Sequence, residues 1–281
     1  MGDLKELFRL LRDGDKVERA LAARELGKFE PSQEVIEVLI EALGDPYEWV
    51  RIRALESLRH HMPAKKEYAI LLGKFYQLED DPKVRATLVK TLAVCGEYGV
   101  SYILEALDDE DMRVKANAVE ALEEIGYLPK LEKLLPLVSS GHRVRASVVK
   151  LLKKGKKDDI ASKILEEMMK SGNVMDRIAA VYVIGEIKDN DKLDFVFEMA
   201  AVPEAHSCVI GALLKFENIE DEILKRIDSM SEEQLIAVFK VLSRVGTTKS
   251  VDKLKKISLT HESGYVRNEA LETLEDITYR T

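Results

Sequence analysis

Apolar and polar positions along this chain follow a helical period. In the segment "SQEVIEVLIEALG" (residues 32–44), apolar residues recur every three or four positions and form a single stripe. The opposite stripe is acidic and contains Glu34, Glu37 and Glu41. No run of residues alternates in polarity as a half-buried strand would. The pattern predicts an all-α protein.

A second helical pattern recurs along the chain with a period of about 31 residues. It has a polar or Asp-Pro start, then a basic residue, then small and apolar residues, as in "PYEWVRIRALESL" (46–58) and "DMRVKANAVEAL" (111–122). The basic position, called the basic ladder below, is occupied by Arg19, Arg51, Arg85, Lys115, Arg145, Arg177 and Arg267. Two later units lack it and carry Ser207 and Val238 there. Each repeat therefore pairs this helix A with a second helix B of the 32–44 type.

Several helix starts can also be assigned. Asp45-Pro46 and Asp81-Pro82 each place an N-cap residue before a proline at the first helical position. Glu48 would complete a capping box with Asp45, and Ser231 with Gln234 forms a second box.

Hairpins of this size cannot bury their own apolar face, so neighbouring repeats must stack. We expect about nine hairpins, or about 18 helices, in a right-handed α-solenoid that spans residues 1–281 as a single domain. Residues 3–12 and 263–279 are expected to be half-repeat caps, and the repeats at about 203–259 are degenerate.

The pattern Asp-Pro-x-x-Val-Arg-x-x-Ala-x-x-Ala-Leu resembles HEAT repeats, particularly the short HEAT-like type seen in phycobilisome lyases. The resemblance covers essentially the whole chain. It implies a curved rod with A helices on the convex side and B helices lining the concave side. It implies little about activity, because such solenoids serve many purposes.

Composition narrows the class of protein. The formal net charge of −8 argues against a general nucleic-acid binder. Apolar runs are too short to span a bilayer, and we expect neither a signal peptide nor a membrane anchor. The two cysteines, Cys95 and Cys208, form no motif and favour a reducing, cytoplasmic location. Glutamine is rare beside the charged residues, which is common in thermophilic proteins.

Enzymatic alternatives find little support in the residues. HEAT-like deoxyhypusine hydroxylases hold a di-iron site with several His-Glu pairs, whereas this chain has only His261-Glu262. No residue can be assigned to bilin attachment as in the lyases. HEAT-like alkylpurine DNA glycosylases need a basic concave face, whereas here the B helices are mixed or acidic. We therefore expect no enzyme activity, no catalytic residue, no metal and no cofactor.

The favoured function is a non-catalytic scaffold or adaptor that binds a basic or amphipathic segment of another protein along the concave helix-B surface. Tyr98 and Tyr102 lie four positions apart and are predicted to share a face of one B helix. Trp49, the only tryptophan, either packs over the neighbouring repeat or anchors a partner. The candidate partner-binding residues are Glu34, Glu37, Glu41, Trp49, Tyr98, Tyr102 and Glu105.

The basic residues have two interpretations. The ladder is interpreted as structural, setting the register between repeats, although a phosphate-binding stripe would have the same spacing. The lysine cluster Lys150, Lys153, Lys154, Lys156 and Lys157 is interpreted as a solvated turn beside a helix C-terminus. The alternative is a docking site for RNA or an acidic partner, and the oligomeric state is left open.

Overall fold

The computed structural model describes residues 3–280. Within this range there are eighteen α-helices, six short 3₁₀-helices and no strand. The predicted all-α class and the helix number are therefore confirmed. The described residues fall into two compact units, divided between Asp158 and Asp159. The expectation of one continuous solenoid stays a prediction.

The first unit alternates long A helices with B helices. Its helices are α1 (Leu4–Asp13), α2 (Lys16–Leu26), α3 (Gln33–Glu41), α4 (Glu48–His61), α5 (Lys66–Leu78), α6 (Pro82–Ala93), α7 (Val100–Ala106), α8 (Met112–Ile125), α9 (Leu131–Leu134) and α10 (His142–Lys154). The A helices are the even-numbered ones. A helix thus covers the predicted N-terminal half-repeat at 3–12, and its role as a cap stays a prediction.

The second unit continues the same alternation. Its helices are α11 (Asp158–Met169), α12 (Val174–Ile187), α13 (Leu193–Met199), α14 (His206–Leu213), α15 (Ile219–Arg226), α16 (Glu232–Val245), α17 (Thr248–Thr260) and α18 (Gly264–Arg280). The degenerate segment holds the short helices α14 and α15, each of 8 residues. The last helix, α18, covers the predicted half-repeat at 263–279.

Stacking of A helices forms the core of each unit. In the first unit α2 packs on α4, α4 on α6, α6 on α8 and α8 on α10; in the second, α12 packs on α14, α14 on α16 and α16 on α18. The apolar positions Val50, Ala54, Leu55 and Leu58 of α4 are completely buried, as their helical spacing requires. Burial of this stripe is the main stabilising term, since a lone hairpin leaves it in water.

Polar side chains also join consecutive A helices. The Ser57 hydroxyl donates to the Ala23 carbonyl at 2.7 Å, and His61 Nε2 donates to the Leu26 carbonyl at 3.0 Å. Asn117 Nδ2 donates to the Ala86 carbonyl at 2.8 Å. All three side chains are buried, so each bond satisfies a polar group that would otherwise be costly to desolvate. These contacts fix the register between neighbouring A helices.

The helix starts confirm two of the predicted caps and correct a third. Asp81 caps α6 with Pro82 at its first position, and Ser231 with Gln234 forms the expected capping box of α16. The box predicted for Asp45 and Glu48 is wrong, because α4 begins only at Glu48 and its N-cap is Tyr47. The Asp45 carboxylate accepts from the Tyr47 N–H at 2.9 Å and is otherwise occupied by Arg19.

Asp111 makes the stability of α8 depend on pH. Its carboxylate accepts the Arg113 N–H at the N-cap, and the Arg113 guanidinium and this backbone bond lower its pKa to about 2. The depressed pKa stabilises the fold at pH values above about 4, and this contribution is lost as the pH falls through about 2. We expect Asp111→Ala to lower the free energy of unfolding by about 1 kcal/mol at neutral pH. Urea denaturation at a series of pH values should show this difference shrink towards pH 2, and a constant difference would contradict the assignment.

Candidate protein-binding surfaces

The basic ladder occupies the fourth residue of seven A helices, and most of its side chains bind the loop that precedes their own helix. In five of them an arginine Nη1 donates to a carbonyl five or six residues earlier, in the loop before its own helix. The pairs are Arg19 with Gly14, Arg51 with Asp45, Arg85 with Asp80, Arg177 with Ser171 and Arg267 with His261, at 2.6–2.9 Å. Lys115 and Arg145 are half-buried at the same position.

The first three ladder arginines also bind forward, to the loop before the next A helix. Arg19 meets Asp45 at 2.6 Å, Arg51 meets Glu79 at 2.8 Å and Arg85 meets Asp109 at 2.9 Å. In each pair Nε and Nη2 donate to the two carboxylate oxygens. Such bidentate pairs are specific in geometry. One guanidinium therefore joins two successive loops.

The pair of Arg85 and Asp109 is the most deeply buried of the three, with side-chain exposures of 11% and 5%. Tyr76 donates its hydroxyl to Asp109 at 2.9 Å. Burial raises the pKa of Asp109, but hydrogen bonds from Arg85, the Asp111 N–H and Tyr76 outweigh this and hold it below its ordinary value. Burial and the bond to Asp109 raise the pKa of Tyr76. Asp109 is therefore an ionised acceptor at neutral pH.

A histidine makes the ladder bond in one degenerate repeat. The sequence assigned Ser207 to the ladder position of α14, but His206 Nε2 donates to the Ala200 carbonyl, six residues earlier, at 2.9 Å. The bond has the same chain separation as those of Arg51 and Arg177. The side chain that holds the loop can therefore change while the loop contact is kept.

The acidic candidates on the B helices are all exposed. Glu37 accepts from Gln33 of its own helix at 2.9 Å. Glu41 pairs with Arg12 of α1 at 3.1 Å, and Glu105 accepts from Gln77 of α5 at 3.0 Å. Glu34 lies on the same exposed stripe. Exposed pairs of this kind are worth about 1 kcal/mol or less, so a partner can replace them at small cost.

The prediction that Tyr98 and Tyr102 share a face of one B helix is wrong. Tyr98 lies in a 3₁₀-helix, Gly96–Gly99, before α7, so it does not share an α-helical face with Tyr102. The reason is a left-handed Gly96, which turns the chain before the helix begins. Tyr98 is exposed, whereas the half-buried ring of Tyr102 lies against Gly73 of α5. A Cβ at Gly73 would meet that ring at 2.3 Å, so Tyr102 fills the space above this glycine.

Trp49 lies in the first turn of the A helix α4 and lines a groove of about 540 Å³ between α2 and α4. The groove is bordered by Val17 and Leu21 of α2 and by Tyr47 and Trp49 at the start of α4; we call it the aromatic groove. All four side chains are exposed, Trp49 by 52% and Val17 by 57%. Sequence reasoning singled out Trp49 alone. Val17 occupies the equivalent position of the previous repeat, and this shared apolar character is the signal in the sequence from which the groove could have been predicted.

Basic side chains lie over both aromatic rings. Lys16 Nζ is 5.2 Å from the centre of the Tyr47 ring, and Lys83 Nζ is 5.8 Å from the centre of the Trp49 ring. The Arg53 guanidinium lies 6.0 Å from the Trp49 ring. These are cation–π distances, and in water such contacts are weak. The groove thus combines an apolar floor with a basic rim.

Comparison with protein families decides the repeat type. The family described as HEAT repeats matches residues 4–73 and 71–153, which together are more than half of the chain. The chain belongs to the HEAT-repeat family. The expected resemblance is confirmed, and the α-helical hairpins within residues 4–153 match the HEAT-repeat model.

Solved structures agree with this fold. A chain in the complex of CpcE and CpcF of phycocyanin lyase from Nostoc sp. PCC7120 is 16% identical, with a TM-score of 0.54 over 86% of this chain and 94% of that one. YibA from Escherichia coli is 17% identical, with a TM-score of 0.53 over 98% of this chain and 93% of that one. At such identities the likeness shows the fold alone. No curated protein sequence matches the chain.

The lysine cluster lies at the end of the HEAT helix α10. Lys150 pairs with Glu123 at 3.3 Å and Lys153 with Asp158 at 3.2 Å. Lys154 donates to the Glu123 carbonyl. Lys156, in a left-handed conformation, and Lys157 are exposed. Two of the five lysines are therefore paired with carboxylates, which lowers the positive charge available to a nucleic acid.

The residues weighed for catalysis are engaged in other contacts. Burial raises the pKa of Cys95 to about 11 and also raises that of Cys208, so both are thiols at neutral pH. His206 binds a carbonyl, and the His261 ring accepts from the Ser263 N–H at 3.2 Å. Among residues 3–280 no group of three or more His, Cys, Asp or Glu side chains is placed to hold a metal ion. No described helix combines the length and hydrophobicity needed to cross a bilayer.

Proposed function

We propose that this HEAT-repeat protein is a non-catalytic adaptor that binds another protein. The observation that supports it best is the aromatic groove between α2 and α4, where Tyr47 and Trp49 are both exposed. Tyrosine and tryptophan are the side chains that most often contribute large binding energies at protein interfaces. Exposed aromatic groups beside a groove are therefore better explained by a partner than by stacking of the repeats. A cytoplasmic location is part of the same proposal.

The helix-B surface is proposed as a second contact region, for a basic or amphipathic segment. Glu34, Glu37 and Glu41 present one exposed carboxylate stripe on α3, and Tyr98 adds an exposed ring at the start of α7. Because the pairs that engage Glu41 and Glu105 are exposed, a basic partner can take over these carboxylates. The two regions lie on different helices, so they can be tested separately.

Affinity capture from a native lysate, followed by direct binding of each purified candidate, tests the adaptor function. We expect Tyr47→Ala/Trp49→Ala to weaken the binding of a true partner by about 30-fold or more. The matched control is Tyr127→Ala, which removes an exposed tyrosine far from the groove residues in the sequence and should leave binding unchanged.

A second variant, Glu37→Gln/Glu41→Gln/Tyr98→Ala/Tyr102→Ala, tests the helix-B surface in the same assay. Circular dichroism of each variant checks that the helices are retained. If no protein binds directly, the adaptor function is wrong. If a protein binds both variants as tightly as the wild type, neither of the two surfaces is its binding site. Salt-sensitive binding of RNA or DNA that Lys156→Glu/Lys157→Glu removes would favour nucleic-acid binding instead.

A further inference from the structure

We infer that the aromatic groove receives a short acidic segment, with apolar side chains, from a partner protein. This inference rests on the proposed adaptor function and adds the chemical class of the segment that is bound. Two observations carry it: apolar residues at positions where the next three repeats carry polar ones, and a rim in which cations exceed carboxylates.

The repeats themselves show that stacking does not require an apolar groove. Trp49 and Val17 lie two residues before their ladder arginines. The same position in the next three repeats is Lys83, Arg113 and Arg143. Those repeats stack A helix on A helix as α2 and α4 do. Their exposed cations demonstrate that this position can be fully polar in a stable repeat.

The position two residues after the ladder residue is also apolar in α2 and polar in α6, α8 and α10. It is Leu21 in α2, which is exposed, whereas α6, α8 and α10 have Thr87, Asn117 and Ser147. An exposed leucine gains little for the isolated fold, because its side chain remains in water. Together with Val17 it forms an i, i+4 apolar pair on the wall of the groove. This pair gains burial only when another molecule covers it.

The rim determines the charge of that molecule. Four cations surround the groove: Lys16, Arg24, Arg53 and Lys83. Arg24 pairs with Glu25 of α2 at 3.2 Å, and Arg53 pairs with Glu56 of α4 at 2.6 Å. Both pairs are on the surface and join residues of the same helix. Glu48 is the carboxylate among the lining residues.

Lys16 and Lys83 have no carboxylate within ion-pair distance among residues 3–280; each lies over a ring instead. This local excess of cations contrasts with the net charge of −8 of the whole chain. A carboxylate from a partner would reach two free ammonium groups without first breaking an ion pair. A basic segment would meet four cations, which is unfavourable.

Apolar contact would supply the affinity, and charge would select the partner. Burying Trp49, Tyr47 and the α2 pair removes apolar surface from water, which is the main favourable term of most interfaces. The weak contacts of Lys16 and Lys83 with the rings can persist while each ammonium also donates to a carboxylate of the partner, because each ring occupies only one side of its cation.

Peptide binding to the full chain tests the inference. The probes are an acidic peptide of about 12 residues with apolar residues at i, i+3 and i+7, the same peptide with lysine replacing each glutamate, and a scrambled acidic peptide. We expect the acidic peptide to shift the Trp49 emission to the blue and to bind at least about tenfold tighter than its basic counterpart at low salt. Trp49 is the only tryptophan, so the signal reports the groove directly.

Two variants complete the test, with titration calorimetry as the readout. Lys16→Glu/Lys83→Glu should reverse the preference between the acidic and basic peptides while leaving the apolar floor intact. Trp49→Ala should weaken the binding of the acidic peptide by about 30-fold, and Tyr127→Ala should leave this affinity unchanged. Equal affinity for the two charges, equal affinity for the scrambled peptide, or no effect of Trp49→Ala would overturn the inference. Self-association of the wild type that Trp49→Ala abolishes would also overturn it, because the occupant would then be a second copy.

The outcomes separate this inference from the adaptor function. If a purified partner needs Tyr47 and Trp49 but the acidic peptide neither binds nor competes, the adaptor function stands and the acidic class is wrong. If the helix-B variant alone loses the partner and the peptides do not bind, the groove is not the site although the chain is an adaptor. If no protein binds the chain directly, the adaptor function itself is wrong.

Discussion

Replacing Arg85 with methionine is expected to lower the free energy of unfolding by about 3 kcal/mol. The change leaves the Asp109 carboxylate buried with its charge and without its bidentate partner. It also removes the donor to the Asp80 carbonyl in the loop before α6. Urea denaturation of the full chain, followed by circular dichroism, measures the loss. Hydrogen exchange should localise it to α6 and α8.

Arg9→Met is the matched control for this result. Arg9 pairs with Glu6 at 2.6 Å, but the two side chains are 60% and 48% exposed. Water screens an exposed pair, so it contributes little to stability and this variant should be nearly as stable as the wild type. The double variant Arg85→Met/Asp109→Leu should recover part of the loss, since it removes both charges. Equal losses for Arg9→Met and Arg85→Met would show that burial does not set the value of the ladder contact.

Replacing Gly185 with alanine is expected to destabilise the second unit by about 2 kcal/mol. Gly185 is buried in α12, and a Cβ there would lie 2.7 Å from both Cα and Cβ of Ala212 in α14. The backbone of α14 has to move to relieve this contact, which outweighs the gain in helix propensity of about 1 kcal/mol. Thermal and urea denaturation of the full chain measure the change.

Gly211→Ala is expected to have the opposite effect on stability, although Gly211 is the neighbour of Ala212 in α14. Gly211 is exposed in α14, and no heavy atom lies within 4 Å of the position of an added Cβ. Alanine should therefore stabilise the helix by about 0.5 kcal/mol. Two glycines of one helix pair are thus predicted to respond with opposite sign. If both variants were stabilised, the close approach of α12 and α14 would be contradicted.

The repeat architecture could be predicted because it depends on a period. Apolar spacing predicts the alternation of A and B helices, and the recurring basic residue marks the first turn of seven A helices. The partners of the ladder could not be predicted. Arg51 binds Glu79 and the Asp45 carbonyl, and neither choice follows from spacing, because both depend on how each loop turns.

The aromatic groove shows the same limit. Trp49 is visible in the sequence as a deviation from its repeat, but Tyr47 is not, because its exposure depends on α4 beginning at Glu48 rather than at Pro46. For Tyr98 the sequence predicts too much regularity. Its spacing from Tyr102 predicts a shared α-helical face, whereas the left-handed Gly96 places Tyr98 in a 3₁₀-helix. Alignment transfers positions within helices and fails at their ends.

The backward bond of the ladder has a consequence for how such a chain can change in length. Because a guanidinium reaches a carbonyl five or six residues before it, the segment between that carbonyl and the arginine has a nearly constant length. An insertion there would carry the carbonyl out of reach and release the loop. The turns from A to B lie outside these ladder segments and already differ in length, as between Met62 and Lys65 and between Gly27 and Ser32. Natural insertions and engineered tags should therefore be accepted at the A-to-B turns and rejected at the B-to-A loops.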